Sequence, residues 1–218
     1  MSTERIGILG GRFDPIHLGH LATAEAARRE LALDRVLLLP SGPSPHRAAP
    51  ARVADAYRLE MARLTAAATA PWLEIEEAEI ASPEPSYTSV TLTRLAETGY
   101  RPSQLFFIVG ADAFAEIATW HDYPAVFDRA HFVVVSRPGH PVEALRRRLP
   151  TLATRMRVAT PVHAPALAIH LLDAETPAVS STSIRARLQA AEPVDDMVPT
   201  PVATYISTHG LYGATDGE

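Results

Sequence analysis

The sequence predicts an α/β fold built on a doubly wound parallel sheet. Three observations carry that prediction. RVLLLP (35–40), LFFIV (105–109) and FVVV (132–135) are almost continuously apolar, not alternating, as strands buried on both faces are. Segments with helical spacing lie between such runs. The alternation of strand and helix along the chain calls for right-handed crossovers between parallel strands.

The elements follow in order. RIGILG (5–10) reads as the first strand, and LGHLATAEAARRELAL (18–33), rich in Ala and Leu, as the first helix. RVLLLP is the second strand. After it, LPSGPSPHRAAP (39–50) is proline-rich and reads as a mobile loop. RVADAYRLEMARLTAAA (52–68) sets Tyr57, Met61 and Leu64 at helical spacing. LEIEEAEI (73–80) reads as a strand, and YTSVTLTRLAETG (87–99) as a helix stopped by Gly99. QLFFIVG (104–110), HFVVVSRPG (131–139) and LAIHLLDA (167–174) are further strands, with PVEALRRRL (141–149) a helix before the last of them. STSIRARLQAA (181–191) and PVATYISTHGLYG (201–213) close the chain as helices. The expectation is one Rossmann-like domain over 1–218, with a small C-terminal helical portion, about 180–213, packed on it.

Composition narrows the function classes. The chain has 218 residues, 47% of them hydrophobic and 21% charged, as ordinary globular proteins do. A net charge of -5 argues against a broad nucleic-acid or membrane surface, although a local basic pocket remains open. There is no cysteine, which excludes disulfides, thiol nucleophiles and Cys-based zinc sites. The N-terminal MSTERIGILGG has no long apolar core of a signal peptide, and no apolar stretch approaches the ~20 residues that span a bilayer. A cytoplasmic protein is the expectation. A homo-oligomer is compatible with this composition.

In open α/β sheets, ligands bind where strands end. There the sequence carries GGRFDPIHLGH, from Gly10 to His20. It matches neither the dinucleotide G-x-G-x-x-G nor the G-x-x-x-x-G-K-[ST] phosphate loop. Gly10 and Gly11 let the backbone turn and approach a ligand. Leu18 opens a helix whose first N–H groups attract anions. His17 and His20, three apart, share a face of its first turn, and Gly19 between them opens room. Such a pair can donate hydrogen bonds to phosphate oxygens. It can also begin a zinc site, without an obvious third ligand, or belong to a structural loop. Asp14 before Pro15 also fits a plain turn.

A second segment, SSTSIRARL (180–188), follows the last strand. Ser181 and Thr182 are N-cap candidates. Arg185 and Arg187, however, put positive charge in the first turns, where the helix dipole disfavours it. A polyphosphate bound by Ser181, Thr182, Arg185 and the helix N–H groups reconciles the two facts.

H-x-G-H near one end and S-S-T-x-I-R near the other resemble the nucleotidylyltransferase superfamily. The chain is similar in particular to the bacterial nicotinate-mononucleotide adenylyltransferases. The resemblance runs through GILGGRFDPIHLGH, LPSGPSPHR, PSYT, LFFIVGADAF followed by Trp120, VVSRPG, SSTSIR and the terminal GLYG. It implies that Gly10, Gly11, Arg12, Phe13, His17, Gly19 and His20 hold ATP, with both histidines on its phosphates. Ser181, Thr182 and Arg185 would grip the triphosphate from the other side. Gly110 and Asp112 would bind the ribose region, although Asp112 also fits as a cap of the helix that follows. Tyr87, Thr88, Trp120 and His121 would line the mononucleotide pocket, with Ser41 and Arg47 on the loop beside it. Backbone N–H groups there would receive the nicotinate carboxylate.

The pattern departs from the family at three points. Arg12 replaces the usual Thr, Ser41 stands where Asn is common, and SPHR replaces PPHK, so that Arg47 keeps the charge with a different geometry. The implied reaction joins ATP and nicotinate mononucleotide into nicotinate adenine dinucleotide with release of pyrophosphate. Mg²⁺ would travel with ATP and no metal would be held by the protein. His17, His20 and Arg185 would carry the catalysis. Nicotinamide mononucleotide, or both acceptors, is the alternative substrate, and a nucleotide-binding regulator without turnover is the alternative of a different class.

Overall fold

The computed structural model describes residues 4–43, 51–159 and 166–213. The first crossover is β1 (Ile6–Gly11), α1 (Leu18–Leu31) and β2 (Arg35–Pro40), and α2 (Asp55–Thr69) leads on to β3 (Leu73–Ile75). The chain then returns to the middle of the sheet through α3 (Thr88–Glu97) and β4 (Leu105–Gly110). The short α4 (Ala111–Phe114), β5 (His131–Val135), α5 (Leu145–Arg148), β6 (Met156–Val158) and β7 (Ile169–Leu172) follow. The described chain ends with α6 (Ser181–Gln189), α7 (Thr200–Thr208) and a turn at Leu211–Gly213.

The seven strands form one sheet in the order β3-β2-β1-β4-β5-β7-β6, every neighbour parallel. Because the chain winds outward from β1 in both directions, the switch point lies between β1 and β4. A crevice opens there, outside the strand ends.

The continuously apolar strands have a simple cause. Alternate side chains of one strand feed two cores, one on each face. Phe106 and Ile108 join α1 and α2 residues such as Ala27, Leu31 and Met61. Leu105, Phe107 and Val109 join Leu92 and Leu95 of α3, with Phe114 and Phe127. The C-terminal helices belong to the first core through Ile184, Leu188, Val202 and Ile206.

Four expectations are corrected. The run LEIEEAEI pairs only over Leu73–Ile75; beyond it Glu76 Oε1 accepts the Ala78 N–H at 3.0 Å and the chain turns away. β5 stops at Val135, because Ser136 turns its hydroxyl to Asp173 (2.8 Å) and Arg137 pairs with His140 in a tight turn. PVEALRRRL divides into a 3₁₀ turn and the single turn of α5, and the terminal GLYG lies outside α7. β6 was not expected. It is a three-residue edge strand with Arg157 and Val158 exposed, so it leaves no apolar run to read. No described helix is long and apolar enough to cross a membrane.

Candidate active site

The loop from β1 to α1 is held in a conformation that L-residues rarely adopt. Phe13 has φ 49°, in the left-handed region, which costs about 1–3 kcal/mol and persists where the surroundings enforce it. Its ring is buried and meets His20 edge-on (centroids 5.0 Å apart, planes at 87°). Phe13 therefore serves as a floor under His20. His20 Nδ1 accepts the backbone N–H of His17 at 3.2 Å, which places the proton of a neutral His20 on Nε2.

The two imidazoles lie 3.6 Å apart, tilted by 30°. His17 is only 2% exposed, and burial, with the nearby Arg137 charge, pushes its pKa down to about 3. It is therefore neutral at physiological pH, and acts as a hydrogen-bonding group, not a cation. Its Nδ1 is buried without a hydrogen-bond partner among the described residues. Gly19 explains how the ring fits: a Cβ there would sit 3.0 Å from His17 Nδ1. The room that Gly19 opens is thus taken by His17 itself.

α6 faces this loop. Its cap is Ser180, whose Oγ accepts the Ser183 N–H at 3.0 Å while Ser183 Oγ accepts the Ser180 N–H at 3.1 Å. Ser181 and Thr182, the candidates from sequence, are relieved of capping. Ser181 Oγ donates to the Pro15 carbonyl (2.9 Å). Arg185 donates to the Asp14 carbonyl (2.6 Å) and to Thr182 Oγ1 (3.3 Å). The helix that carries the Ser-Thr-Arg set is thus bonded directly to the loop that carries the two histidines.

Asp14 is the hub. Its buried carboxylate accepts the Arg52 N–H (2.8 Å) and the Tyr212 hydroxyl (2.8 Å), while its carbonyl takes Arg185. Arg58, 2% exposed on α2, adds a clamp: its guanidinium donates to the carbonyls of Arg12 and Ser41 and to Asp55. Sequence reasoning missed Arg58 and Tyr212. A charged residue in an amphipathic helix reads as solvated, and the GLYG motif named no partner for its Tyr.

At the switch point, against the end of β1, a cleft of about 460 Å³ opens. It gathers Gly10, Gly11, Arg12 and Ser41 from one wall and Tyr87, Thr88, Trp120 and His121 from the other. Trp120 rests edge-on against Phe107 (6.1 Å, 89°), so it packs on the core and still faces the cleft. His121 Nδ1 is 3.0 Å from Ser89 Oγ, and its ring lies 4.3 Å from that of Tyr87. His17, His20, Ser181, Thr182 and Arg185 do not line this cleft.

Gly110 is the N-cap position of α4, so Asp112 is inside that helix and does not cap it. A Cβ on Gly110 would lie 2.5 Å from Asp112 Oδ1 and 3.0 Å from Arg137 Nε. Arg137, from the SRPG turn, is thus a cation beside Asp112, and its charge reaches His17. The turn was quoted in the sequence, but its arginine was given no role. Arg47 lies outside the described residues, and so does most of the loop read as mobile. Among the described residues no trio of His, Asp or Glu is placed to hold a metal ion, so a zinc site on the histidine pair lacks a third ligand there.

Comparison with known proteins bears on what this arrangement is. The cytidylyltransferase-like family matches residues 8–187. A protein of Roseiflexus sp. (strain RS-1) named "Probable nicotinate-nucleotide adenylyltransferase" is 43% identical over 214 residues, 97% of this chain and 100% of its own. The chain belongs to the cytidylyltransferase-like family, in the branch of the nicotinate-nucleotide adenylyltransferases. A Moorella thermoacetica relative of the same name is 41% identical over 95% of this chain and 91% of its own. The Plasmodium falciparum nicotinic acid mononucleotide adenylyltransferase, solved in complex with NaAD, shares the fold (TM-score 0.72) over 97% of this chain and 98% of its own, at 15% identity. Members of such a nucleotidyltransferase family typically use a divalent metal together with ATP.

Proposed function

We propose that this chain transfers the adenylyl group of ATP to nicotinate mononucleotide, giving nicotinate adenine dinucleotide and pyrophosphate, as a single cytoplasmic domain with its C-terminal helices packed on the sheet. One observation carries the assignment of sites. The histidine-bearing loop and the Ser-Thr-Arg helix meet through the carbonyls of Asp14 and Pro15, while a cleft that His17, His20, Ser181, Thr182 and Arg185 do not line opens at the switch point. The first region suits the triphosphate; the second suits the acceptor.

A phosphate oxygen of the mononucleotide attacks the α-phosphorus of ATP. The bond from that phosphorus to the β-bridging oxygen breaks, and pyrophosphate leaves with the electron pair. The attacking phosphate is already an anion at neutral pH, so no general base and no covalent enzyme intermediate are needed. Catalysis consists of positioning and of stabilising charge where it develops. With Nδ1 turned to Gly19, His17 offers Nε2 to the phosphates. His20, oriented by the His17 N–H, offers its Nε2–H. Arg185, Ser181, Thr182 and the first N–H groups of α6 take the leaving pyrophosphate. Gly110 and Asp112 sit at the strand end where the ribose would lie. Tyr87, Thr88, Trp120 and His121 wall the pyridine ring, with Ser41 towards its phosphate, and the charge of Arg47 suits that same phosphate. Mg²⁺ enters as the MgATP substrate and screens the triphosphate.

The test is turnover with each acceptor. Purified protein, MgATP and either nicotinate or nicotinamide mononucleotide are incubated, and dinucleotide and pyrophosphate are followed together. Formation of both in equal amounts, with the nicotinate form strongly preferred, is the expected result. Equal or reversed preference overturns the acceptor. ATP binding with no product from either overturns the enzymatic reading.

A further inference from the structure

The acceptor cleft contains one buried carboxyl that the reaction above does not use. Glu79 lies in the turn after β3, is 9% exposed and lines the cleft between Ser41 and Ser86. Thr91, on α3, donates its hydroxyl to Glu79 Oε1 in a short hydrogen bond, and Ser86 also hydrogen-bonds the carboxyl. Ser86 Oγ in turn accepts the Gly42 N–H at 3.0 Å, and the Ser86 N–H donates to the Pro43 carbonyl at 2.8 Å. The chain of contacts runs from the loop after β2, through Ser86, to Glu79 and on to α3. Gly42 permits it: a Cβ there would lie 2.5 Å from the Glu79 carbonyl oxygen, backbone against backbone.

Those contacts join the two walls of the cleft. One wall is the segment Ser41–Pro43, directly after β2. The other is Ser86–Thr88. A buried carboxyl is costly unless its oxygens are hydrogen-bonded, and here one hydroxyl donor, Ser86, lines the cleft while the other, Thr91, is buried on α3 behind it. Burial pushes the Glu79 carboxyl pKa up, partly offset by those hydroxyls and by Arg94.

We propose that Glu79 is the positioning residue of the acceptor pocket, which fixes how the Ser41–Pro43 segment and the Ser86–Thr88 wall meet at the edge of the cleft so that a pyridine mononucleotide fits in the space they border. This rests on the functional reading above. It assigns Glu79 no contact with ATP, and the triphosphate region should not feel its loss.

The experiment is steady-state kinetics of the parent, Glu79→Ala, Glu79→Gln and Ser86→Ala, with each substrate varied in turn and thermal midpoints recorded. Glu79→Ala is expected to raise the KM for nicotinate mononucleotide about 10- to 100-fold, because only part of the two lost hydrogen bonds is felt by the substrate, with the KM for ATP within about threefold. Glu79→Gln keeps an acceptor for Thr91 and a group that Ser86 can bond, so it should stay within about threefold of the parent in both. Ser86→Ala should raise only the acceptor KM, by about 3- to 10-fold. If Glu79→Ala does not fold, Ser86→Ala and Glu79→Gln decide. A rise in both KM values together, an unchanged acceptor KM in the foldable variants, or a Gln variant as impaired as Ala overturns the proposal. A parent that forms no dinucleotide overturns the functional reading instead, and is distinguishable because the parent is assayed alongside.

Discussion

Among the described residues two pairs of histidines touch, and they are built for different ends. His17 and His20 stack 3.6 Å apart at the start of α1, where the β1 loop leaves the sheet. His131 and His170 meet inside the sheet, on β5 and β7, with His170 Nε2 3.2 Å from His131 Nδ1 and the Phe106 ring stacked 4.6 Å from His131. In the first pair one ring is partly exposed and oriented by a backbone N–H. In the second both rings are buried, and His131 Nε2 and His170 Nδ1 have no partner among the described residues. Burial pushes both of their pKa values down to about 4, helped at His131 by His170, Arg157 and Arg5, and at His170 by Arg157. The lesson is that a perturbed histidine marks a functional site only when its surroundings give it something to act on. His131 and His170 belong to the packing; His17 and His20 stand on the loop to which Ser181 and Arg185 are bonded.

Substitutions should separate the pairs. The largest effect is expected for His20→Ala, which removes a transition-state donor: kcat should fall about 100-fold or more while the thermal midpoint stays within a few degrees. Turnover within threefold of the parent would remove His20 from its role. The double change His131→Leu with His170→Leu should leave kcat within about threefold, because neither ring lies near the cleft or the β1 loop.

Acid should act through the same contrast. His17, His131 and His170 have folded-state pKa values below the ordinary value of 6.5. Unfolding lets them take up protons that the fold refuses, so their stabilisation is fully present above pH 6.5 and is lost as pH falls towards 4. Each contributes a loss of about 2 kcal/mol by pH 5, so the thermal midpoint should drop between pH 7 and pH 5. The drop should be visibly shallower in the Leu/Leu protein. An equal slope in both would mean that the pair is solvated or protonated in the fold. The smallest expected effect is that of Tyr212→Phe. It deletes one hydrogen bond to Asp14, so it should cost about 1 kcal/mol and raise the KM for ATP a few-fold, leaving the acceptor KM alone.

The same contrast explains what the sequence could reveal. His17 and His20 are three residues apart, and their helix begins at Leu18, so local spacing alone brings them together. The strands of the sheet were legible because burial on both faces writes a continuous apolar run. His131 and His170 are 39 residues apart and meet only through strand order, which no local pattern encodes. Arg58 and Glu79 were missed for a related reason: a buried charge looks like any surface charge until its partners, contributed by distant loops, are known. β6 escaped because an exposed edge strand of three residues carries no periodicity. Ser180 took the capping role from its neighbours because its pairing with Ser183 closes a box in which Ser stands where Glu or Gln is usual.

The most direct test of the central claim, direct transfer from the histidine-held phosphates to an acceptor in the cleft, is to follow the oxygen. Nicotinate mononucleotide with an ¹⁸O-labelled phosphate and unlabelled MgATP are turned over, and both products are weighed by mass spectrometry. We expect the label in the bridge of the dinucleotide and none in pyrophosphate. Labelled pyrophosphate, or a dinucleotide bridge without label, would contradict attack on the α-phosphorus of ATP.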